Sequence, residues 1–166
     1  MAGIRALAPA AGFVYAEAGL AHGRGERRPN EAAHGRFTQM KIILVIDDDE
    51  NFSKTIEQAL LMSGYEVVLA ENGSQGIKLA QIHLPDLILS DVNMHNGDGY
   101  DVLAGVRGNR PTASIPFILM TAEPSSGGML QGLSLSVDDY LPKPFTVPQL
   151  IEAIETAFKS REKRQP

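Results

Sequence analysis

The chain contains no cysteine among its 166 residues. That absence excludes a disulfide framework, thiolate metal sites and cysteine nucleophiles, and it is compatible with a cytoplasmic location. No apolar run approaches the roughly 20 residues needed to span a bilayer as a helix, so no membrane association is expected. A basic surplus is missing as well: the formal charge is −5. The four histidines are scattered without metal-ligand spacing and read as solvated side chains. What is present is ordinary for a folded protein. Hydrophobic residues make up 43% and charged residues 21%, which excludes a fully disordered chain, a collagen and a coiled-coil rod. The length suits one domain with a flexible end.

Charge and composition divide the chain near Met40. Residues 1–39 hold five Arg and three Glu, a net of +2, and residues 40–166 hold ten Lys and Arg against seventeen Asp and Glu, a net of −7. The first segment is rich in Ala, Gly and Arg with poor helical periodicity. It reads as a disordered extension, with a short helix near 14–22 as the alternative. A secretory signal is the rival reading, but the apolar stretch from Ala6 to Tyr15 is short and is broken by Pro9 and Gly12. Met40 is a candidate natural start. The acidic body argues against nucleic-acid binding, which needs a basic footprint. It suits a cation or basic partners better.

From Met40 the pattern alternates. Lys41–Ile46, Tyr65–Ala70, Asp86–Ser90, Ile115–Met120 and Asp139–Leu141 read as strands, the first and third as continuous aliphatic runs of the kind buried on both faces. Between them, Asn51–Ser63, Ser74–His83 and Tyr100–Arg107 carry apolar residues at helical spacing, with Gly64, Pro85 and Gly108 as stops and Asp98 as a cap. Residues 125–135 form a weak expected helix, because Gly127 and Gly128 each cost about 1 kcal/mol against Ala. Thr146–Ser160 is the clearest helix: Val147, Leu150, Ile151, Ile154, Ala157 and Phe158 make one stripe, and Thr146 with Gln149 fits a capping box. The methionines at 62, 94, 120 and 129 read as packing. Five βα units in a row predict an open, doubly wound parallel α/β sheet with helices on both faces.

In such a sheet, function collects beyond the carboxyl ends of the strands. The residues there are Asp47, Asp48 and Asp49 after the first strand, Ser90 and Asp91 after the third, Thr121 and Ala122 after the fourth, and Lys143 and Pro144 after the fifth. Several carboxylates at one edge repel, by about 4 kcal/mol per pair at 4 Å and an effective dielectric near 20. A divalent cation removes that penalty, and oxygen-only ligands favour a hard one, Mg2+ first. One carboxylate is then free to act as a nucleophile. A cation, an ammonium and a hydroxyl around it are the parts that phosphoryl transfer requires.

The stretches Ile46-Asp47-Asp48-Asp49, Leu89-Ser90-Asp91-Val92-Asn93-Met94, Gly97-Asp98-Gly99, Met120-Thr121-Ala122 and Asp138-Asp139-Tyr140-Leu141-Pro142-Lys143-Pro144-Phe145, in this order, resemble the receiver domain of two-component response regulators. The resemblance covers residues 40–160, leaving 161–166 as a short tail. It implies a flavodoxin-like (βα)5 fold with strand order 2-1-3-4-5. It implies Asp91 as phosphoacceptor, taking its phosphoryl group from a sensor histidine kinase or a histidine phosphotransfer protein. Asp47, Asp48 and Asp91, with the backbone carbonyl of Asn93, would hold Mg2+. Lys143 would pair with phosphoryl oxygens, ahead of a cis bond to Pro144. Thr121 and Tyr140 would be the switch pair, biasing the face of the fourth helix, fifth strand and fifth helix toward a downstream protein target. No output segment is recognisable after Ser160, so a stand-alone receiver is expected, a signalling switch and not an enzyme acting on an external substrate.

Other readings compete. Asp47–Asp49 ahead of a helix is also a good N-terminal cap, and the division expected is capping by Asp49 and Glu50 with metal binding by Asp47 and Asp48. Asn96-Gly97-Asp98-Gly99 is turn chemistry first, and Tyr140 could be simple core. An interaction module without phosphorylation is the functional alternative, against which the complete set Asp48, Asp91, Thr121 and Lys143 argues. An aspartyl phosphatase would need an acid at position 93, where Asn93 stands. Two positions depart from the family's habit: His95 stands where Pro is common, and Ser136 where Gly is common before the last strand, so a strained turn is expected there. Asn93 and Glu123 hold the places associated with phosphoryl lifetime.

Overall fold

The computed structural model describes residues 40–122 and 136–163. Seven strands and four helices occur among them. In chain order they are β1 (Ile42–Ile46), α1 (Glu50–Met62), β2 (Glu66–Ala70), α2 (Gly73–His83), β3 (Leu87–Asp91), β4 (Asn93–Met94), β5 (Gly97–Asp98), α3 (Gly99–Arg107), β6 (Phe117–Thr121), β7 (Asp139–Pro142) and α4 (Val147–Glu162). The main sheet is parallel with the order β2-β1-β3-β6-β7. This is the expected 2-1-3-4-5 order, because β4 and β5 form a separate antiparallel hairpin. The fold is the flavodoxin-like doubly wound sheet. The helix expected over 125–135, with Glu123 and Met129, lies outside the described residues.

Alternation along the central strands builds two cores. Ile43, Val45, Leu87, Leu89, Ile118 and Met120 face α1 and α4, meeting Ile56, Leu60, Leu150, Ile154 and Phe158. Leu44, Ile46, Ile88, Phe117 and Leu119 point the other way, onto Ala80 of α2 and Val102, Leu103 and Val106 of α3. Strands buried on both faces need apolar residues at every position, which is why these segments lack the polar alternation of a half-exposed sheet. Each such side chain contributes about 1.5–3 kcal/mol on burial.

The helix ends follow the chain's local chemistry. Asp49 caps α1 through Oδ1, which accepts from the backbone N–H groups of Asn51 (3.0 Å) and Phe52 (3.1 Å). Glu50 does not cap. It lies in the first turn and pairs with Lys54 at 2.5 Å. Thr146 and Gln149 make the expected capping box on α4. Ser136 has φ 58°, the strained turn expected where glycine would sit without cost. Met62 corrects the packing expectation: it is 90% exposed at the end of α1, whereas Met94 and Met120 are buried.

Candidate functional site

The carboxyl ends of β1, β3, β6 and β7 converge. Asp47 continues β1 by one residue, its N–H bonded to the carbonyl of Ala70 (3.1 Å). This turns its side chain inward, where it is 1% exposed. One carboxylate oxygen accepts from the N–H of Asp49 at 2.9 Å, and the other from Lys143 Nζ at 2.9 Å. Asp91 ends β3. Its Oδ1 lies 2.9 Å from the same ammonium. Lys143 is held by its own backbone, since its N–H donates to the Thr121 carbonyl at 2.7 Å. The bond to Pro144 is cis. The Lys143 ammonium also lies 4.2 Å from the ring centroid of Phe52, which packs edge-on against Phe145.

One oxygen from each of Asp47, Asp48 and Asp91 falls within a sphere of mutual distances no greater than 4.8 Å. Burial is the first influence on Asp91, and with the charges of Asp47 and Asp48 it raises the carboxyl above its usual range despite Lys143. Burial works against the Lys143 ammonium, but hydrogen bonds to Asp47 and Asp91 outweigh it and hold the pKa above the ordinary lysine value. Two carboxylates, Asp47 and Asp91, thus share one ammonium, with the Asp48 carboxylate beside them. The donor set is hard oxygen without thiolate, which fits a small divalent cation that keeps several waters.

Asp48 is held from a place that periodicity did not reveal. Its Oδ2 accepts from the backbone N–H of His95 at 2.7 Å and lies 2.5 Å from His95 Nδ1. These contacts, backbone first, pull the Asp48 carboxyl below its usual range, and the same pairing lifts the imidazole of His95. The expectation of a merely solvated His95 is therefore corrected: its side chain is 94% exposed, yet it is bonded to the cluster. The only signal in the chain was its position four residues after Asp91, in place of proline.

Of the remaining predicted residues, Thr121 is tied to the cluster, and Asn93 and Tyr140 are placed by their own strands. Thr121 ends β6, is buried, and is tied to Lys143 through its carbonyl. Asn93 opens β4, exposed, opposite Asp98. Tyr140 lies on β7 opposite Leu119, half-buried against the second core, and hydrogen-bonds the phenol of Tyr100.

The model of the response regulator receiver domain family matches residues 43–155. The chain belongs to that family. Among curated proteins, this receiver is 36% identical over 122 residues to a probable transcriptional regulator, ycf27, of Cyanophora paradoxa, covering 74% of the chain and 50% of that protein. It is 36% identical over 120 residues to the transcriptional regulatory protein CpxR of Escherichia coli, covering 72% and 50%. The chain spans about half the length of the curated relatives it matches. Among solved structures, the receiver resembles the chemotaxis protein CheY4 of Vibrio cholerae, with TM-score 0.70, 28% identity, and coverage of 72% of this chain and 99% of that one. It also resembles a CheY-like receiver domain protein of Methanospirillum hungatei, with TM-score 0.68, 29% identity, and coverage of 75% and 98%. Among the described residues, no helix is long and apolar enough to cross a membrane.

Proposed function

We propose that this receiver accepts a phosphoryl group on Asp91 from a phosphohistidine of a sensor kinase or phosphotransfer protein. An Oδ atom of Asp91 attacks phosphorus, the phosphorus–nitrogen bond to the donor imidazole breaks, and an acyl phosphate forms while the imidazole leaves with the electron pair. The observation that carries this reading is Lys143 Nζ at 2.9 Å from both Asp47 and Asp91, with Asp48 in the same cluster. Asp47, Asp48, Asp91 and the carbonyl of Asn93 would hold Mg2+, which when bound offsets charge on the incoming phosphoryl oxygens. Lys143 orients those oxygens by charge. The Thr121 hydroxyl, at the end of the neighbouring strand, is their hydrogen-bond partner. The half-buried position of Tyr140 supports its part as the second switch residue, biasing the β7–α4 face toward a downstream protein.

The same reading takes residues 1–39 as an extension, 40–160 as the receiver and 161–166 as a tail, in a cytoplasmic protein with no nucleic-acid role for this domain itself. It makes the chain a phosphorylation switch and not an enzyme acting on an external substrate. The test is intact mass after incubation with a small-molecule phosphodonor. A gain of one phosphoryl group is expected with Mg2+ and not with a chelator, and Asp91→Asn abolishes it. Labelling of the Asn variant as strong as the parent's overturns the assignment.

A further inference from the structure

Asp47 and Asp91 are both engaged by Lys143, and Asp47 is almost wholly buried. Asp48 is the most accessible of the three carboxylates, with 22% of its side chain exposed, and it has no contact with Lys143 among those ion pairs. Its Oδ2 already receives two donors from a single residue, the N–H and the Nδ1 of His95. Both come from the loop that follows Asp91, and the ring is otherwise in solvent. A cation that takes Oδ2 as its ligand competes with those donors for the same oxygen. The ring's contact is the one that a side-chain change can remove.

We propose that His95 is a latch on Asp48: its imidazole holds the carboxylate in the cation-free protein and weakens cation binding at the cluster. This rests on the reading of Asp48 as a cation ligand. His95 acts through Asp48 and is a positioning residue. A proline at this position would offer neither donor, because it has no N–H and no polar side chain. The latch is therefore a consequence of the histidine this chain carries.

The experiment is a Mg2+ titration of the full chain followed by amide chemical shifts, without any phosphodonor. His95→Ala is expected to bind Mg2+ about fivefold more tightly than the parent, the factor that one ordinary hydrogen bond represents. His95→Gln, whose amide can still donate, should lie between them. In a double-mutant cycle, His95→Ala in an Asp48→Asn background should lose its effect. Unchanged or weaker Mg2+ binding by His95→Ala overturns the latch. So does an Ala effect of the same size whether or not Asp48 is present. A parent that binds Mg2+ with a loss on Asp48→Asn upholds the cation site whatever His95 does, so the two ideas fail separately.

Discussion

Lys143 Nζ and Asp91 Oδ1 stand 2.9 Å apart although they leave different strands of the sheet. The ammonium is three-quarters shielded from solvent and also meets Asp47, which is deeper still. Removing it leaves two carboxylates facing each other without compensation. Lys143→Met, which keeps an unbranched stem against Phe52, should cost about 3 kcal/mol in a chelator, at the lower end for breaking a buried pair. Mg2+ should restore part of that loss, because it supplies positive charge at the same place. Urea unfolding with and without Mg2+ measures both terms. Equal losses in the two conditions would separate Lys143 from the cation site.

Under the proposed function, the neighbouring aspartates divide metal binding from helix capping: Asp48 is the cation ligand and Asp49 the cap of α1. Mg2+ at about 100 times its Kd should add about 2.7 kcal/mol to the parent's stability. Asp48→Asn, which keeps Asp47 and Asp91, should bind Mg2+ more weakly and lose most of that gain. Asp49→Ala should keep it while lowering stability by about 1 kcal/mol, the usual value of an N-cap. Thermal unfolding with Mg2+ and then with a chelator reads both effects.

Gly99 packs against the backbone of Asp91, the proposed phosphoacceptor. A Cβ there would come 3.0 Å from Val92 Cα and closer still to the carbonyl oxygen of Asp91, and neither can rotate away. Gly99→Ala should destabilise by about 1–3 kcal/mol, as overpacking does. It should also reduce phosphoryl labelling at saturating donor, because Asp91 must shift. Denaturant midpoints and intact mass on the same sample check the pair of outcomes.

The phenol of Tyr100 is pushed up to about 12 by burial first and then by its hydrogen bond with Tyr140. A raised value means that the folded state holds the proton more tightly than the unfolded one. The stability this contributes is complete below the ordinary value of 10.0 and is lost as pH rises through about 12. Stability should therefore fall over that alkaline window, and Tyr100→Phe should flatten the fall. At neutral pH the same variant should cost about 1 kcal/mol for the lost hydrogen bond. Urea midpoints against pH, with phenolate absorbance alongside, test this. A parent whose stability does not change across the window would show that Tyr100 titrates normally.

Much of this is legible in the sequence. Ile42–Ile46 and Leu87–Leu89 are wholly aliphatic, and short runs of this kind between helical segments are the mark of strands covered on both faces. Once the strands are parallel, their carboxyl ends share one edge, so Asp47, Asp48, Asp91, Thr121 and Lys143 had to gather there. Asp49, Asp98 and Thr146 declared themselves as caps because capping is decided within three or four residues. The β4–β5 hairpin was legible only as turn chemistry, since two-residue strands carry no periodicity.

What the amino-acid order determined alone is whatever depends on neighbours a few residues away: period, caps, stops, and through them the five parallel strands and the edge that holds the acidic cluster. The tertiary structure alone decided which side chains meet across that edge. Lys143 bridges Asp47 and Asp91, and His95 folds back on Asp48. Met62 is left in solvent. Those outcomes depend on the angle at which a loop leaves a strand and on what already fills the space. Distances of that kind are set by packing in three dimensions and have no period along the chain.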